Sequence, residues 1–331
     1  MRFSFIIPVF NRPAEVDELL ESLTFQTYNN FDTVIVEDGS TFKCDKVIDK
    51  YKSKLDIQYY FKSNSGPGPS RNYGVDKSNS EYFIFCDSDC IIPPMYLQEV
   101  QKQLKINYTD VFGGPDNAHS SFTPLQKAIN YAMTAFITTG GIRGGEKSIG
   151  NFQPRSFNMG ISKYAFSNTG GFGSINPGED PDLIIRLWKL GYETQLISKA
   201  FVYHKRRISW AQFYKQVNKF GKCRPILNSW HPETSKITYW FPTCFILGLA
   251  FGLVFSIAVE NLVLMYFYAL YFIVILFDSS IRNKNIKIGL MSIIAVFIQY
   301  LGYGIGFLKA FIFIKVLKYK PENAFPYLFL K

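Results

Sequence analysis

Residues 81–89 read EYFIFCDSD. The run 81–86 is apolar except at its first residue, which suits a buried strand, and Asp87-Ser88-Asp89 follows directly on its end. Three similar runs precede it: 3–10 (FSFIIPVF), 33–37 (TVIVE) and 57–61 (IQYYF). Between them, 14–26 (AEVDELLESLTFQ) carries apolar residues at helical spacing behind Pro13. Residues 43–54 also suit a helix, and 69–77 a short helix after a Gly/Pro loop. Strands and helices alternating at these lengths predict an α/β domain built on a parallel sheet with right-handed crossovers. In such sheets ligands bind beyond the carboxyl ends of the strands. Asp38, the 66–72 loop and the 87–89 acids all fall at that rim.

Charge separates this domain from the rest of the chain. The 331 residues carry 36 Lys+Arg and 26 Asp+Glu, a net of +10, which on its own admits nucleic acid or a membrane surface. Residues 1–198 hold 19 basic and 22 acidic residues, a net of −3. Residues 199–236 hold nine basic residues and one acid, and 237–331 hold eight and three. The basicity is therefore a short block plus the tail, and nucleic acid is excluded as a partner. Five Cys without regular spacing exclude a disulfide scaffold and a zinc pattern, and fit a reducing compartment.

The tail predicts a membrane. Residues 241–259, 261–277 and 288–308 are uncharged and rich in Phe, Leu and Ile, close to the ~20 residues that a helix needs to cross the hydrocarbon. Met1 opens directly on a strand-like run, so no signal peptide is expected. The block at 199–236 precedes the first run and belongs on the cytoplasmic side by the positive-inside rule. Arg282, Lys284 and Lys287 agree with that orientation. A third full span would place Lys315, Lys318 and Lys320 outside, against the rule. Three spans is the leading count, and two spans plus an interfacial segment the rival. The expected divisions are 1–222 for the catalytic domain, 199–240 for a basic juxtamembrane segment, 241–314 for the membrane region and 315–331 for a basic tail.

Four stretches carry chemistry. Two carboxylates one residue apart at a sheet rim, Asp87 and Asp89, can hold a hard divalent cation that bridges the phosphates of a nucleotide. VIVEDGS (34–40) places Glu37 and Asp38 at the second strand's end, where Asp38 could accept an N–H from a base or close a plain turn. SGPGPSRN (65–72) opens a helix and brings Arg71 toward phosphates or base. GEDPDLIIRLWKLGY (178–192) is an amphipathic helix whose first residues, Glu179 and Asp180, either complement the helix dipole or provide a general base. Cys86 and Cys90 beside the acids suit packing. Residues 117–150, with Gly140, Gly141, Gly144 and Gly145, suit a mobile insertion over an acceptor.

In this order, VIVEDGS, SGPGPSRNYGV, FCDSD, SFNMGISK, GGFG and GEDPDLIIRLWKLGY resemble the family-2 glycosyltransferases, across about residues 3–222. The resemblance implies the GT-A (Rossmann-like) nucleotide-sugar-binding fold, here followed by C-terminal transmembrane helices. It implies that Pro8, Val9 and Asn11 line the base and ribose and that Asp38 binds the base. Glu37 stands where the family often has a second Asp. Arg71, Asp87 and Ser88 would contact the nucleotide, and Asp87, Asp89 and His204 would hold Mn²⁺ or Mg²⁺. Asn158 and Gly160 of SFNMG would line the donor and acceptor pocket. Asp180 would be the catalytic base, with Glu179 orienting the acceptor.

The implied reaction is inverting transfer from a nucleotide-diphosphate sugar, UDP-linked by preference, to a hydroxyl of a saccharide or lipid-linked saccharide, in cell-surface polysaccharide synthesis. The implied location is the cytoplasmic membrane, multi-pass, with the catalytic domain inside. The basic block, Lys205, Arg206 and Arg207 included, would meet membrane lipids or the diphosphate of a lipid-linked acceptor. Two alternatives are a polyprenyl-phosphate glycosyltransferase and a non-catalytic membrane scaffold. The carboxylates of GEDPDL favour a hydroxyl acceptor, since a phosphate acceptor needs no base.

Overall fold

The run FSFIIPV becomes β1 (Phe3–Val9) at the middle of a sheet, in a computed structural model that describes residues 1–140 and 152–329. Its neighbours are β2 (Phe31–Asp38), β3 (Ile57–Lys62) and β4 (Tyr82–Cys86), with α1 (Pro13–Leu23), α2 (Asp45–Tyr51) and α3 (Pro67–Lys77) as connections. β3, β2, β1 and β4 run parallel, as expected. After β4 come β5 (Cys90–Ile91), α4 (Tyr96–Ile106), β6 (Val111–Gly113), β7 (Asp116–Asn117), α5 (Pro124–Thr134) and α6 (Phe136–Thr139). Then follow β8 (Asn158–Ser162), α7 (Lys163–Thr169), α8 (Glu179–Lys189), β9 (Thr194–Leu196) and β10 (Val202–His204). β8 runs antiparallel to both β4 and β6, so the seven-stranded sheet, ordered β3-β2-β1-β4-β8-β6-β9, is mixed rather than wholly parallel.

Period-two alternation distributes β1 to two faces. Phe3, Phe5, Ile7 and Val9 pack with Leu19 and Leu20 of α1 and Val100 of α4. Ile6 packs on the opposite face with Val34, Val36 and the α8 residues Leu183, Ile184 and Leu187. Each fully buried aliphatic or aromatic side chain contributes ~1.5–3 kcal/mol, so both faces hold the rim in place.

The chain divides into two compact units. The first comprises Met1–His119, Gly144–Lys205 and Phe329–Lys331, and contains the sheet. The second comprises Ser120–Arg143 and Arg206–Leu328. The continuous part of the sheet-bearing unit thus runs to Lys205, where 222 was expected, and α5 and α6, part of the expected insertion, belong with the apolar helices. Residues 141–151, including Gly141, Gly144 and Gly145, lie outside the described residues.

In the second unit, α9 (Trp210–Trp230), α10 (Phe241–Val259), α11 (Val263–Asn283) and α12 (Ile286–Phe311) follow one another. Three stretches, Ile237–Val259, Val263–Asn283 and Ile286–Val316, are long and apolar enough to cross a membrane. α10 and α11 form an antiparallel hairpin, with Gly252 against Leu264 and Met265, and the Phe245 ring 4.9 Å from Tyr268. α12 crosses the foot of that hairpin. Near its start, Ser292 Oγ meets Ser279 Oγ near the end of α11 at 2.7 Å. Near its finish, the Phe311 ring is 4.7 Å from Trp240, which precedes α10. In the most apolar windows of the three stretches, 11%, 11% and 44% is buried, so α12 is the most enclosed.

α9 accounts for much of that enclosure. Gly302 and Gly306 allow it to approach closely, since a Cβ on Gly306 would lie 2.3 Å from the Asn218 carbonyl oxygen. Asn218 Nδ2 donates to the Gly302 carbonyl at 2.9 Å. Small residues four apart are a general device for bringing helix backbones together. The expected juxtamembrane segment is therefore largely a packed helix. Arg206 of the same block is buried and donates to Asn130 Oδ1 at 2.9 Å, which removes it from headgroup contact.

Candidate active site

The parallel register of β1, β2, β3 and β4 brings Val9, Asp38, Lys62 and Cys86 to one edge of the sheet. The segments that follow, 10–12, 39–42, 63–66 and 87–89, form the rim. A second, three-stranded sheet ordered β5-β10-β7 completes it. β10 pairs antiparallel with β5 so that His204 stands opposite Cys90, and Lys205 N donates to the Asp89 carbonyl at 3.0 Å. This strand pairing joins His204 to Cys90, 114 residues away, and brings His204 to the Asp-Ser-Asp turn.

His204 Nε2 lies 3.2 Å from Asp89 Oδ1 and 3.9 Å from Asp87 Oδ2. The ring stacks on Phe157 at 4.6 Å, and Nδ1 lies 4.0 Å from Asp116 Oδ2. Asp89 Oδ1 is buried without a hydrogen-bond partner. Two carboxylates, one of them with an unsatisfied buried oxygen, and an imidazole fit a divalent cation such as Mn²⁺ or Mg²⁺. Burial alone would raise the Asp89 carboxyl, but the His204 imidazole and the Arg12 guanidinium outweigh it and hold the group well below its ordinary value. Asp89, Cys90 and His204 also cluster closely enough to share an ion. Burial and the Cys86 thiol push the Cys90 thiol well up, and a soft sulfur suits a hard cation less well than the carboxylates do.

Arg71 links this cluster to α8. Its Nη2 donates to Asp87 Oδ1 at 2.6 Å and its Nη1 to Glu179 Oε1 at 3.1 Å. Its guanidinium also sits 5.3 Å from the centre of the Phe172 ring. Glu179 is buried and its Oε2 accepts the Gly178 N–H at 3.0 Å. Burial and the neighbouring Asp180 raise its carboxyl to about 7, against the pull of Arg71. Asp180 is more open, with Oδ2 3.4 Å from Ser156 N and 3.8 Å from Arg155 Nη1. α8 presents both acids because its apolar stripe faces the core and turns its first residues to the rim.

The other expected residues divide by alternation along their strands. Asp38 reaches the rim, where its carboxylate accepts from Lys62 Nζ, Ser65 N and Gly66 N, so it shapes the turn that leads into α3. Glu37, one residue earlier, points into the core and accepts from Cys44 N and Tyr59 OH, both at 2.9 Å. It is therefore removed from the nucleotide set. Val9 is buried, so its side chain belongs to the core, while Pro8 is partly covered. Asn11 has φ 54° and its Oδ1 accepts from Thr41 N and Phe42 N, tying the ends of β1 and β2 together. Ser88 is buried between the two acids.

Asn158 and Gly160 are also corrected. Asn158 is buried, accepts from Tyr96 OH at 2.6 Å and donates to the Ala200 carbonyl at 2.8 Å. Gly160 lies inside β8, where a Cβ would come within 2.0 Å of the Phe112 ring. Both hold the sheet together rather than lining an open pocket. The sequence reading missed Arg12, Arg155 and Asp116. Arg12 forms an ion pair with Asp89. Its only sequence signal was its place just beyond the first strand.

Known proteins agree with this architecture. The family model described as Glycosyl transferase family 2 matches residues 4–170. An uncharacterised glycosyltransferase of Rickettsia bellii is 38% identical over 104 residues, 31% of this chain and 15% of that protein. The poly(ribitol-phosphate) beta-N-acetylglucosaminyltransferase TarS of Staphylococcus aureus is 33% identical over 115 residues, 34% of this chain and 20% of the relative. The matched part thus spans a fifth or less of these relatives' length. The mannosyltransferase PcManGT of Pyrobaculum calidifontis, solved with GDP-Man and Mn²⁺, superposes with a TM-score of 0.62 at 13% identity, covering 91% of this chain and 87% of that one. That likeness is one of fold, the GT-A arrangement of a mixed sheet with ligand loops at one rim. With half of its length matched by the family model and the sheet, rim and acidic turn in place, the chain belongs to glycosyl transferase family 2.

Proposed function

We propose that the chain moves a sugar from a nucleotide-diphosphate donor, UDP-linked by preference, to a hydroxyl of a lipid-linked saccharide at the cytoplasmic face of the membrane. The observation that carries this reading is the buried Arg71, which joins Asp87 to Glu179 and so couples the acidic turn to the start of α8. In PcManGT a related fold binds GDP-Man and Mn²⁺. Here a divalent cation, Mn²⁺ or Mg²⁺, held by Asp87, Asp89 and His204 would neutralise charge on the donor diphosphate.

The protein groups do the rest. Asp180 takes the proton of the acceptor hydroxyl as its oxygen bonds to the anomeric carbon. The bond from that carbon to the diphosphate oxygen breaks, and its electron pair leaves with the nucleoside diphosphate. One displacement inverts the anomeric centre. Arg155 holds Asp180, and Arg71 holds Asp87 and Glu179. Asp38 orders the 63–66 turn beside the base.

The membrane part follows from the hairpin. α10 and α11, at 19 and 21 residues, match a hydrocarbon core ~30 Å thick. Ile257, Tyr266 and Phe267 toward the tip are strongly exposed. The two helices cross the bilayer, while α12 lies along its cytoplasmic boundary because both its ends meet the hairpin's foot. Lys315, Lys318 and Lys320 then share a side with Arg282, Lys284 and Lys287, in accord with the positive-inside rule.

Asp180→Asn tests the reaction. Transfer should fall by about 10²–10⁴ with nucleotide binding retained, the range typical of a general base. Full activity in that variant overturns the assignment.

A further inference from the structure

Both carboxylate oxygens of Asp89 are covered. Oδ1 is buried against the His204 ring, with Nε2 3.2 Å away. Oδ2 is taken by Nη1 of the Arg12 guanidinium. A divalent cation and a guanidinium compete for one carboxylate, because like charges at that range repel strongly where water is excluded. For Asp89 to serve as a ligand, one of its two covers has to move.

The covers differ in how they are held. His204 is fixed by β10, which pairs with both β5 and β7, and by its stack on Phe157. Its side chain is 14% exposed, and its Nε2 is itself a donor to a cation. Arg12 is anchored through its backbone. It stands before Pro13 at the start of α1, and its carbonyl accepts from Val16 N at 3.1 Å. Its side chain is 32% exposed, and among the described residues it donates to Asp89 alone. Burial by itself would lower the guanidinium, but Asp89, Glu15 and Asp87 outweigh that and raise it. Charge rather than a shaped pocket therefore holds Arg12 in place, so it is the cover that can leave.

We propose that Arg12 is a displaceable counter-ion of Asp89 that ties the binding of the divalent cation to the binding of the nucleotide. While Arg12 holds Asp89, a cation arriving alone has to break a charge-assisted hydrogen bond and sit beside a guanidinium, so it binds weakly. A nucleoside diphosphate offers that guanidinium a second anion. Arg12 passes from Asp89 to the diphosphate, and Asp89 is freed for the cation. Each ligand thus strengthens the other, by the same factor in both directions. The inference rests on the reading of Asp87, Asp89 and His204 as the cation site under the proposed function. A residue that merely oriented Asp89 as a ligand would act with the opposite sign, since its loss would weaken the cation.

Titration of Mn²⁺ into the full chain in detergent, with and without UDP, tests it, the EPR signal of free Mn²⁺ reporting what stays unbound. Without nucleotide, Arg12→Gln should bind Mn²⁺ about tenfold more tightly than the wild type, the size of one charge-assisted hydrogen bond. Arg12→Leu should do the same, so the result does not hang on one variant's folding. UDP should tighten Mn²⁺ binding by about tenfold or more in the wild type and much less in either variant. Arg12→Lys keeps the charge and should stay near the wild type. Unchanged or weaker Mn²⁺ binding in Arg12→Gln and Arg12→Leu overturns the inference, as does equal tightening by UDP in wild type and variants. A wild type that binds no Mn²⁺ even with UDP places the failure in the cation assignment itself, and the inference falls with it.

Discussion

Arg71 Nη2 donates to Asp87 Oδ1 at 2.6 Å from a side chain that is 2% exposed. The other arm of the same guanidinium holds Glu179, so one residue of α3 sets the spacing between the acidic turn and the start of α8. Lysine has the charge but not the fork. Arg71→Lys should stay folded yet lose at least about tenfold in kcat/KM, roughly one lost charge-assisted hydrogen bond. Arg71→Ala, which leaves the buried Glu179 and the part-exposed Asp87 without their cation, should cost ~3–5 kcal/mol in unfolding free energy. Denaturant titration of both variants beside steady-state kinetics checks this.

Glu179 makes stability depend on pH. Its ordinary value is 4.5 and its folded value about 7, so the folded state binds more protons between those limits. Stability should therefore fall as pH rises from about 4.5 to 7 and level off above, by an amount of order 3 kcal/mol from this group. Glu179→Gln should flatten that part of the profile. Thermal midpoints of both proteins at half-unit pH intervals provide the comparison, and parallel profiles would contradict it.

His204 faces Asp87 and Asp89 through strand pairing rather than through a shared loop. If it belongs to the cation site, His204→Ala should raise the Mn²⁺ concentration needed for half-maximal nucleoside-diphosphate binding by at least ~10-fold. Binding of the nucleotide without metal should change little. A calorimetric titration separates the two, and an unchanged Mn²⁺ dependence would leave His204 as a packing residue on Phe157.

The foot of the hairpin can be read by labelling. Single cysteines at Lys284, Lys318 and Asn261, in a background whose own five cysteines are replaced, should react with an impermeant maleimide in a two-to-one pattern. Positions 284 and 318 should be protected together in intact cells and position 261 labelled. Opposite behaviour of 284 and 318 would mean that the third stretch crosses.

The outline of the fold is local in origin, and that is why it was legible in the residues. Four apolar runs, Pro13 ahead of a helical stripe, and GEDPDLIIRLWKLGY each carry their own period, and strand–helix alternation then leaves few ways to stack them. Asp38, Arg71, Asp87, Asp89 and Asp180 could be named because each follows or opens such an element. What pairing and packing settled was less visible. The antiparallel β8 places Asn158 under Tyr96, and alternation sends Glu37 inward beside an outward Asp38. Composition marks 288–308 as a possible span, but only packing shows that Gly302 and Gly306 seat α12 on α9 while Gly304 and Phe311 meet Pro242 and Trp240 at the hairpin's foot. Periodicity reports which face of an element is apolar, whereas the partner covering that face is chosen by contacts between residues far apart in the chain.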